Sequence, residues 1–238
     1  MIFLKIGLAA YEFKNDDLSF NLAQIEKALI TGNSKGLDIV LFGEAFLQGF
    51  DGINFNYEND KNIAITINSK IMNDLCELTK KYGVDLGIGY FELADNSIYS
   101  SYAIIENGNI IYNYRRISTG WKEEIADSHY KEGNDSKEFI YKGQYFKIAL
   151  CGDLWVMKEK FTTKGILIWP IYVNFNLNDL YLNENDYLNQ AMLVSNKCLL
   201  INSITYEPIA HGGAFYYKDG KIEERLAYDL NDILVIEN

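Results

Sequence analysis

The sequence predicts an α/β protein. Strand-like apolar runs alternate with amphipathic helical patterns near both ends of the chain, and several strand patterns follow one another directly in the middle. This order implies a mixed sheet, or two stacked sheets, with helices on the outer faces. The 238 residues are 48% hydrophobic, include only two prolines and contain no low-complexity run that would mark a linker, so we predict one domain over residues 1–238.

The first half of the chain contains two helical patterns among its strand patterns. The first helix has an apolar stripe from Leu18 to Leu29, and Asp16 or Asp17 can cap it. The second, over 67–82, ends at a glycine and carries Cys76 on or beside its apolar stripe. Strands are predicted over residues 3–11, 39–42, 84–93, 98–106 and 110–117, with a hairpin turn at Asn107-Gly108 before the last of them.

The second half repeats the alternation. A buried strand over 145–150 leads to Cys151, after which Gly152 and Asp153 turn the chain. A helix is predicted over 185–197, and a further hairpin surrounds Asp219-Gly220. The other predicted strands cover residues 166–173, 198–204, 213–217 and 221–228.

Composition excludes several classes of protein. The net charge of −11 and the absence of a basic patch argue against nucleic acid as a partner, and no apolar run is long enough for a membrane span. The three cysteines are odd in number and widely spaced, and no CxxC pair or histidine cluster is present, so neither a disulfide framework nor a metal site is expected. No signal segment is apparent. We therefore expect a reduced, cytoplasmic protein.

Three stretches carry candidate chemistry, because each puts a reactive side chain at the end of a strand. Cys151 follows one strand, Glu44 follows another, and the run Tyr114-Arg115-Arg116 ends a third. A cysteine attacks a carbonyl carbon as the thiolate and needs a base, and neither histidine follows a buried strand end. A buried carboxylate can serve as that base, and the backbone N–H of Gly152 with one fixed cation can bind the oxyanion. The alternatives are a core cysteine and a strand-end glutamate that faces water.

These stretches together resemble the nitrilase, or carbon–nitrogen hydrolase, superfamily, with Glu44, Arg116 and Cys151 in the family's order and spacing. The resemblance covers essentially the whole chain and extends to the segments 89–92, 130–133, 191–203, 211–215 and 219–220. It implies a four-layer α-β-β-α sandwich that forms homodimers or higher homo-oligomers. It also implies hydrolysis of a non-peptide C–N bond in a small-molecule amide through a cysteine thioester, with no cofactor and no metal.

The resemblance assigns roles to individual residues, and the chain departs from the family at some of them. Cys151 becomes the nucleophile, Glu44 the base and Gly152 the backbone donor to the oxyanion. Two further residues are expected to bind the substrate region: Glu92 orients the cation, and Trp155 lines the pocket. Arg116 stands where the family has lysine, Gly152 where an aromatic residue is more usual, and Ala126 where the family has a further glutamate. Since arginine cannot shuttle a proton, Lys122 is favoured as the proton-capable cation, with Arg116 holding Glu44 or the substrate.

Two other functions compete with the amidase hypothesis. Loss of the family lysine suggests a catalytically impaired protein that keeps the fold as a binding or scaffold module, although Cys151 and Glu44 argue against it. Acyl transfer to an amine would use the same thioester, but the chain shows no extra domain or membrane segment for that role.

Overall fold

Two six-stranded sheets form the centre of the protein, in a computed structural model that describes residues 3–238. The first sheet has the spatial order β14 (Ile233–Glu237), β1 (Lys5–Ala9), β2 (Ile39–Leu41), β3 (Asp85–Ala94), β4 (Ser97–Glu106) and β5 (Asn109–Arg115). The second has the order β13 (Lys221–Leu226), β12 (Ala214–Lys218), β9 (Lys197–Asn202), β8 (Ile166–Ile171), β7 (Gln144–Ile148) and β6 (Phe139–Tyr141). A separate ribbon pairs β10 (Ile204–Tyr206) with β11 (Ile209–His211).

Each sheet has a parallel centre with antiparallel strands at its edges. Strands β1, β2 and β3 run parallel in one sheet, and β7, β8 and β9 run parallel in the other. The carboxyl ends of such parallel strands are where α/β proteins place their functional groups. Glu44 follows β2 and Cys151 follows β7, so both lie just beyond a carboxyl end.

The helices begin and end where the local chemistry predicts. Helix α1 (Leu18–Lys35) is capped by the carboxylate of Asp17, which accepts from the N–H of Phe20, and α3 (Lys70–Tyr82) is capped by Ser69. The next residues after both helices are glycines in the left-handed conformation, as expected for helix C-caps. The short helices are α2 (Tyr57–Asp60) and α4 (Asp153–Met157), and the fifth is α5 (Leu177–Met192).

The layers follow from which faces are apolar. Side chains of both sheets meet in one core, which includes Leu8 and Ile104 of the first sheet and Ile148 and Trp169 of the second. Helices α1 and α3 pack on the outer side of the first sheet, and α5 packs against the second. The predicted α/β class and the four-layer α-β-β-α arrangement are confirmed.

Some element bounds differ from the sequence-based prediction. Helix α5 begins at Leu177 rather than at 185 and ends at Met192 rather than at 197, because Asn176 caps its start and Leu180 adds a buried turn ahead of the predicted stripe. Strand β14 was not predicted, and it pairs antiparallel with β1 as an edge of the first sheet. Both predicted hairpin turns are confirmed, with positive φ at all four of their central residues.

Candidate active site

Cys151 lies in a tight turn between the second sheet and helix α4. The N–H of Ala149 donates to the carbonyl of Ile168 at 3.0 Å and that of Cys151 to the carbonyl of Pro170 at 2.9 Å, so the chain follows β8 up to the cysteine. Cys151 itself has φ +38°, a left-handed conformation that is uncommon outside glycine and that clusters at functional sites. The residue is partly exposed, although its thiol is buried. The residues 149–152, called the cysteine turn below, therefore present the sulfur in a fixed, strained position.

Asp153 joins the cysteine turn to the segment 114–118, which contains Arg116. Its buried carboxylate accepts hydrogen bonds from the N–H of Leu150 at 2.8 Å, the N–H of Ser118 at 2.8 Å and the hydroxyl of Tyr114 at 2.6 Å. A buried carboxylate that receives this many donors is well compensated for its desolvation. The position of Arg116 relative to the cysteine turn is therefore set by Asp153.

Glu44 and Arg116 form a buried ion pair next to this turn. Arg116 Nη1 donates to Glu44 Oε1 at 2.8 Å, the Ser100 hydroxyl donates to the same oxygen at 3.0 Å, and Arg116 Nε donates to the Ser118 hydroxyl at 2.9 Å. The Glu44 side chain is 0% exposed and that of Arg116 is 2% exposed. Gly89 on β3 allows this arrangement, because a methyl group on it would come within 2.5 Å of the backbone beside Glu44.

Three polar groups around the sulfur have no hydrogen-bond partner within residues 3–238. They are Glu44 Oε2, Arg116 Nη2 and the backbone N–H of Gly152. Of the three, Glu44 Oε2 is a buried atom, and a buried polar atom is nearly always paired, so its lack of a partner is unusual. One free acceptor and two free donors match the needs of a thiol proton and an oxyanion respectively.

Electrostatics keep the proton on sulfur in the resting site. Burial, followed by the nearby charge of Glu44, raises the pKa of the Cys151 thiol to about 12, against the lowering effect of Arg116. Burial also raises the pKa of Glu44, although Arg116 and Ser100 oppose it. Burial disfavours the charge of Arg116, but Glu44 and Cys151 nonetheless raise the pKa of the guanidinium. The site thus pairs a neutral thiol with a carboxylate of increased basicity and a permanent cation.

The wall beside the sulfur is aromatic. The Cys151 thiol donates to the backbone carbonyl of Tyr172 at 3.8 Å, and the indole N–H of Trp169 donates to the Cys151 carbonyl at 2.9 Å. The ring of Trp155 in α4 meets that of Tyr187 edge to face, with centroids 5.3 Å apart, and the residue is 46% exposed. Tyr187 in turn lies within electrostatic range of Cys151. Trp155 therefore stands at the rim of this site.

Lys122 has other partners. Its ammonium forms an ion pair with Glu132 at 2.5 Å and donates to the carbonyl of Tyr130 at 3.1 Å. The cation that contacts Glu44 is Arg116. The structure thus gives Lys122 two other partners, whereas the sequence favoured it as the proton-capable cation near Cys151.

Glu92 binds Arg115 rather than Arg116. Arg115 donates from Nη2 and Nε to the two carboxylate oxygens at 2.6 Å and 2.9 Å, and Ser101 and Asn113 donate to the second oxygen as well. Adjacent strand residues point to opposite faces of a sheet, which separates this pair from the Glu44 pair. Glu92 therefore orients a cation, as the sequence suggested, but that cation is Arg115.

Sequence reasoning missed several polar residues that shape the site: Ser100, Ser118, Asp153 and the carbonyl of Tyr172. Asp153 had a signal, since an aspartate directly after a Cys-Gly turn is placed to accept the N–H groups of that turn. The serines had none, because their partners are distant in sequence. Among the described residues, no cluster of three or more His, Cys, Asp or Glu side chains could hold a metal, and no helix is long and apolar enough to cross a membrane.

Curated relatives and solved structures resemble this chain. An N-carbamoylputrescine amidase from Solanum tuberosum is 26% identical over 196 residues, which are 79% of this chain and 65% of the relative. The chain thus covers slightly less than two thirds of that relative's length.

Two solved structures match nearly the whole fold. A carbon–nitrogen hydrolase superfamily protein from Xanthomonas campestris has a TM-score of 0.81 at 13% identity, covering 100% of this chain and 91% of that one. An amidase of the nitrilase superfamily from Nesterenkonia AN1 has a TM-score of 0.78 at 12% identity, covering 99% and 90% respectively. These similarities establish the fold.

The family assignment comes from the sequence itself. Residues 5–164 match the carbon-nitrogen hydrolase family, a segment that includes β1 and extends beyond Cys151. With its strand-end glutamate, arginine and cysteine brought together in a four-layer sandwich, the chain belongs to the carbon–nitrogen hydrolase family.

Proposed function

We propose that this protein hydrolyses a non-peptide C–N bond in a small amide through a thioester on Cys151. The observation that carries the proposal is the set of three unpartnered groups beside the sulfur: Glu44 Oε2, Arg116 Nη2 and the N–H of Gly152. A binding or scaffold protein would gain nothing from leaving a buried carboxylate oxygen without a partner, which costs about 1–3 kcal/mol.

In the first half-reaction the sulfur attacks the amide carbon while Glu44 takes the thiol proton. The oxyanion that forms accepts hydrogen bonds from the N–H of Gly152 and from Arg116 Nη2. The C–N bond then breaks, and Glu44 returns its proton to the departing nitrogen, which leaves as ammonia or an amine. The acyl group remains on Cys151 as a thioester.

In the second half-reaction water replaces the amine. Glu44 takes a proton from the water as it attacks the thioester carbon, and the same two donors stabilise the second oxyanion. The C–S bond breaks, the carboxylic or carbamic acid leaves, and the proton on Glu44 returns to sulfur. Since Glu44 carries every proton in this cycle, the cation needs only a fixed charge, and an arginine at 116 suffices.

The raised pKa of the thiol agrees with this division of roles. A thiol with a pKa of about 12 is almost entirely protonated at neutral pH, so attack requires a base at the moment of reaction. Burial raises the pKa of Glu44 as well, which makes it a stronger base than a solvated carboxylate.

The substrate class follows the curated relatives. The potato relative is named for N-carbamoylputrescine, and we propose that this chain acts on a small carbamoyl compound or primary amide. Homodimer formation and a cytoplasmic location remain predictions from the sequence.

The test is a screen for ammonia release from small amides and carbamoyl compounds, N-carbamoylputrescine among them. We expect turnover with the wild type and none with Cys151→Ala, because no thioester forms without the sulfur. Cys76→Ala is the matched control, since Cys76 is a buried cysteine of α3 and should leave turnover intact. Intact-mass measurement with a slow substrate should show an acyl adduct on the Cys151 peptide.

Two results would contradict the proposal. Ammonia release that survives in Cys151→Ala would exclude the thioester route. If no compound of the panel is turned over and none leaves an acyl adduct on Cys151, the protein is better explained as the impaired binding protein.

A further inference from the structure

Gly152 lies against the guanidinium of Arg116. A methyl group added to its Cα would be 2.5 Å from Arg116 Nη2 and 3.4 Å from the Ser118 hydroxyl. Contacts as close as the first are not tolerated between real atoms, because repulsion rises steeply below van der Waals distance. The three nearest atoms to such a methyl group all belong to Arg116 or Ser118.

The backbone of Gly152 does not itself require glycine. Its φ of −64° and ψ of −13° lie in the right-handed helical region, which every L-residue adopts. By contrast, the glycines that follow α1 and α3 have positive φ. The missing side chain at 152 is therefore explained by space and not by conformation.

The guanidinium has little freedom to move away. Nη1 is held by Glu44, Nε is held by Ser118, and the backbone N–H of Ser118 is held by Asp153. A collision at Nη2 would thus be relieved by breaking one of these hydrogen bonds and displacing the charge from the sulfur.

We propose that Gly152 is a positioning residue for Arg116: the absence of a side chain at 152 provides the space in which the guanidinium stands beside Cys151. Arginine at 116 and glycine at 152 then form one unit, and neither can be replaced without regard to the other. The expected effect on amide turnover rests on the proposed function, whereas the expected effect on the reactivity of the Cys151 thiol does not.

The reactivity of the sulfur reports where the guanidinium stands. The charged groups that act on the Cys151 thiol are Glu44 and Asp153, which raise its pKa, and Arg116, which lowers it, while Tyr187 of α5 lies within electrostatic range. Displacement of Arg116 removes the lowering contribution and leaves the raising ones. A smaller thiolate fraction at a given pH means slower alkylation.

The experiment measures the rate of Cys151 alkylation by iodoacetamide, across pH, in four variants and the wild type. Gly152→Ala should slow alkylation at least about tenfold, the equivalent of one pKa unit. Gly120→Ala is the matched control, because a methyl group there would meet the same Nη2 atom at an ordinary 3.4 Å, and we expect a change below about twofold. The Arg116→Lys variant has no planar guanidinium for the methyl group to meet. In that background, adding Gly152→Ala should slow the alkylation of Cys151 by less than about threefold.

The double variant separates the guanidinium from a direct effect of the new methyl group on reagent access. Equal slowing by Gly152→Ala in both backgrounds, or wild-type reactivity of Gly152→Ala alone, would overturn the proposal. If Gly152→Ala folds only when Arg116→Lys is present, as judged by thermal melting, that rescue supports it; if neither folds, the collision is not confined to the guanidinium and the proposal fails.

Failure of the proposed function would look different. If no amide is hydrolysed by the wild type, the alkylation rates still decide whether the two positions are coupled. If the wild type hydrolyses an amide but Gly152→Ala slows alkylation equally in the wild-type and Arg116→Lys backgrounds, the hydrolase proposal stands and only the positioning role of Gly152 is wrong.

Discussion

Two neighbouring arginines, the last residue of β5 and the residue that follows it, each bind a buried glutamate, and the two pairs differ in how completely they are satisfied. Arg115 binds Glu92, and Arg116 binds Glu44. Each glutamate also accepts from one of two adjacent serines of β4, Ser101 for Glu92 and Ser100 for Glu44. The alternation of a strand sends one set of partners to each face.

The Glu92 pair is complete. Both of its oxygens are bound by Arg115, and Ser101 and Asn113 also donate to one of them. Burial alone would raise the pKa of Glu92, but the hydrogen bonds and charge of Arg115 and the other donors hold it below its ordinary value. This pair is built for stability.

The Glu44 pair is left incomplete. One carboxylate oxygen has no partner among residues 3–238, and burial raises the pKa of the group despite Arg116. The pKa of Glu92 is thus lowered and that of Glu44 raised, although both are buried glutamates paired with arginine, because more donors reach the carboxylate of Glu92. The comparison teaches that an unsatisfied buried pair, and not a buried pair as such, is the feature that singles out the proposed active site.

The largest expected effect comes from replacing the two glutamates in turn. Glu44→Gln should slow turnover by about 10²-fold or more, the usual contribution of a general base, because an amide cannot take a proton. Glu92→Gln should leave turnover within a few-fold of wild type. Ammonia release by both variants, with the same substrate, measures the contrast, and equal losses would remove the distinction between the pairs.

The two glutamates should affect the pH dependence of stability in opposite senses. The folded pKa of Glu92 is lowered, so its ionised form contributes stability above its ordinary pKa of 4.5 that is lost only as pH falls through the folded value. The folded pKa of Glu44 is raised, so ionisation costs stability as pH rises from 4.5 through the folded value. At neutral pH, Glu92→Gln should therefore cost about 2 kcal/mol of unfolding free energy. Glu44→Gln removes the unfavourable ionisation but leaves the buried guanidinium of Arg116 without its counter-charge, so we expect a loss at least as large.

The next effect separates the two arginines. Arg116→Lys keeps a charge but loses the fork that joins Glu44 to Ser118, and a misplacement of this kind costs up to about 10²-fold in turnover. Arg115→Lys should lower the melting temperature and leave turnover nearly unchanged. A fully active Arg116→Lys would mean that a point charge serves the oxyanion as well as the guanidinium does.

The pH dependence of turnover sharpens the comparison further. Turnover needs ionised Glu44, so kcat/KM should fall as pH decreases through its raised pKa, above the 4.5 of an ordinary glutamate. Alkylation of Cys151 should still increase above about pH 9, since the thiol pKa is about 12. A plateau near neutral pH would show that the thiol is ionised at rest and that Glu44 is not needed to take its proton.

The smallest effect is expected at Lys122. Its ammonium is engaged by Glu132 and by the carbonyl of Tyr130, so Lys122→Met should change turnover by less than about threefold. The sequence favoured the opposite order, with Lys122→Met more damaging than Arg116→Lys. Steady-state kinetics of the two variants side by side decide between the sequence-based and the structure-based assignment.

Much of this could be predicted from the sequence, because it depends on local patterns. The strands before Glu44 and Cys151 are continuous apolar runs, and the turns at Asn107-Gly108 and Asp219-Gly220 require residues that accept positive φ. The edge strand β14 could not be predicted, since it depends on a pairing with β1 at the other end of the chain. The early start of α5 had a local signal, the cap residue Asn176, which the prediction did not use.

The sequence by itself determined the α/β class, the family and the three strand-end groups, since order along the chain and hydrophobic period carry that information. The tertiary structure decided which cation contacts Glu44, which glutamate has both oxygens bound, and that the residues at 116 and 152 lie against each other. Those answers depend on contacts such as Arg116 with Glu44 and Gly152, which lie 72 and 36 residues apart along the chain. Only folding brings such groups into contact, and the local hydrophobic pattern of the sequence does not indicate which distant residues will meet.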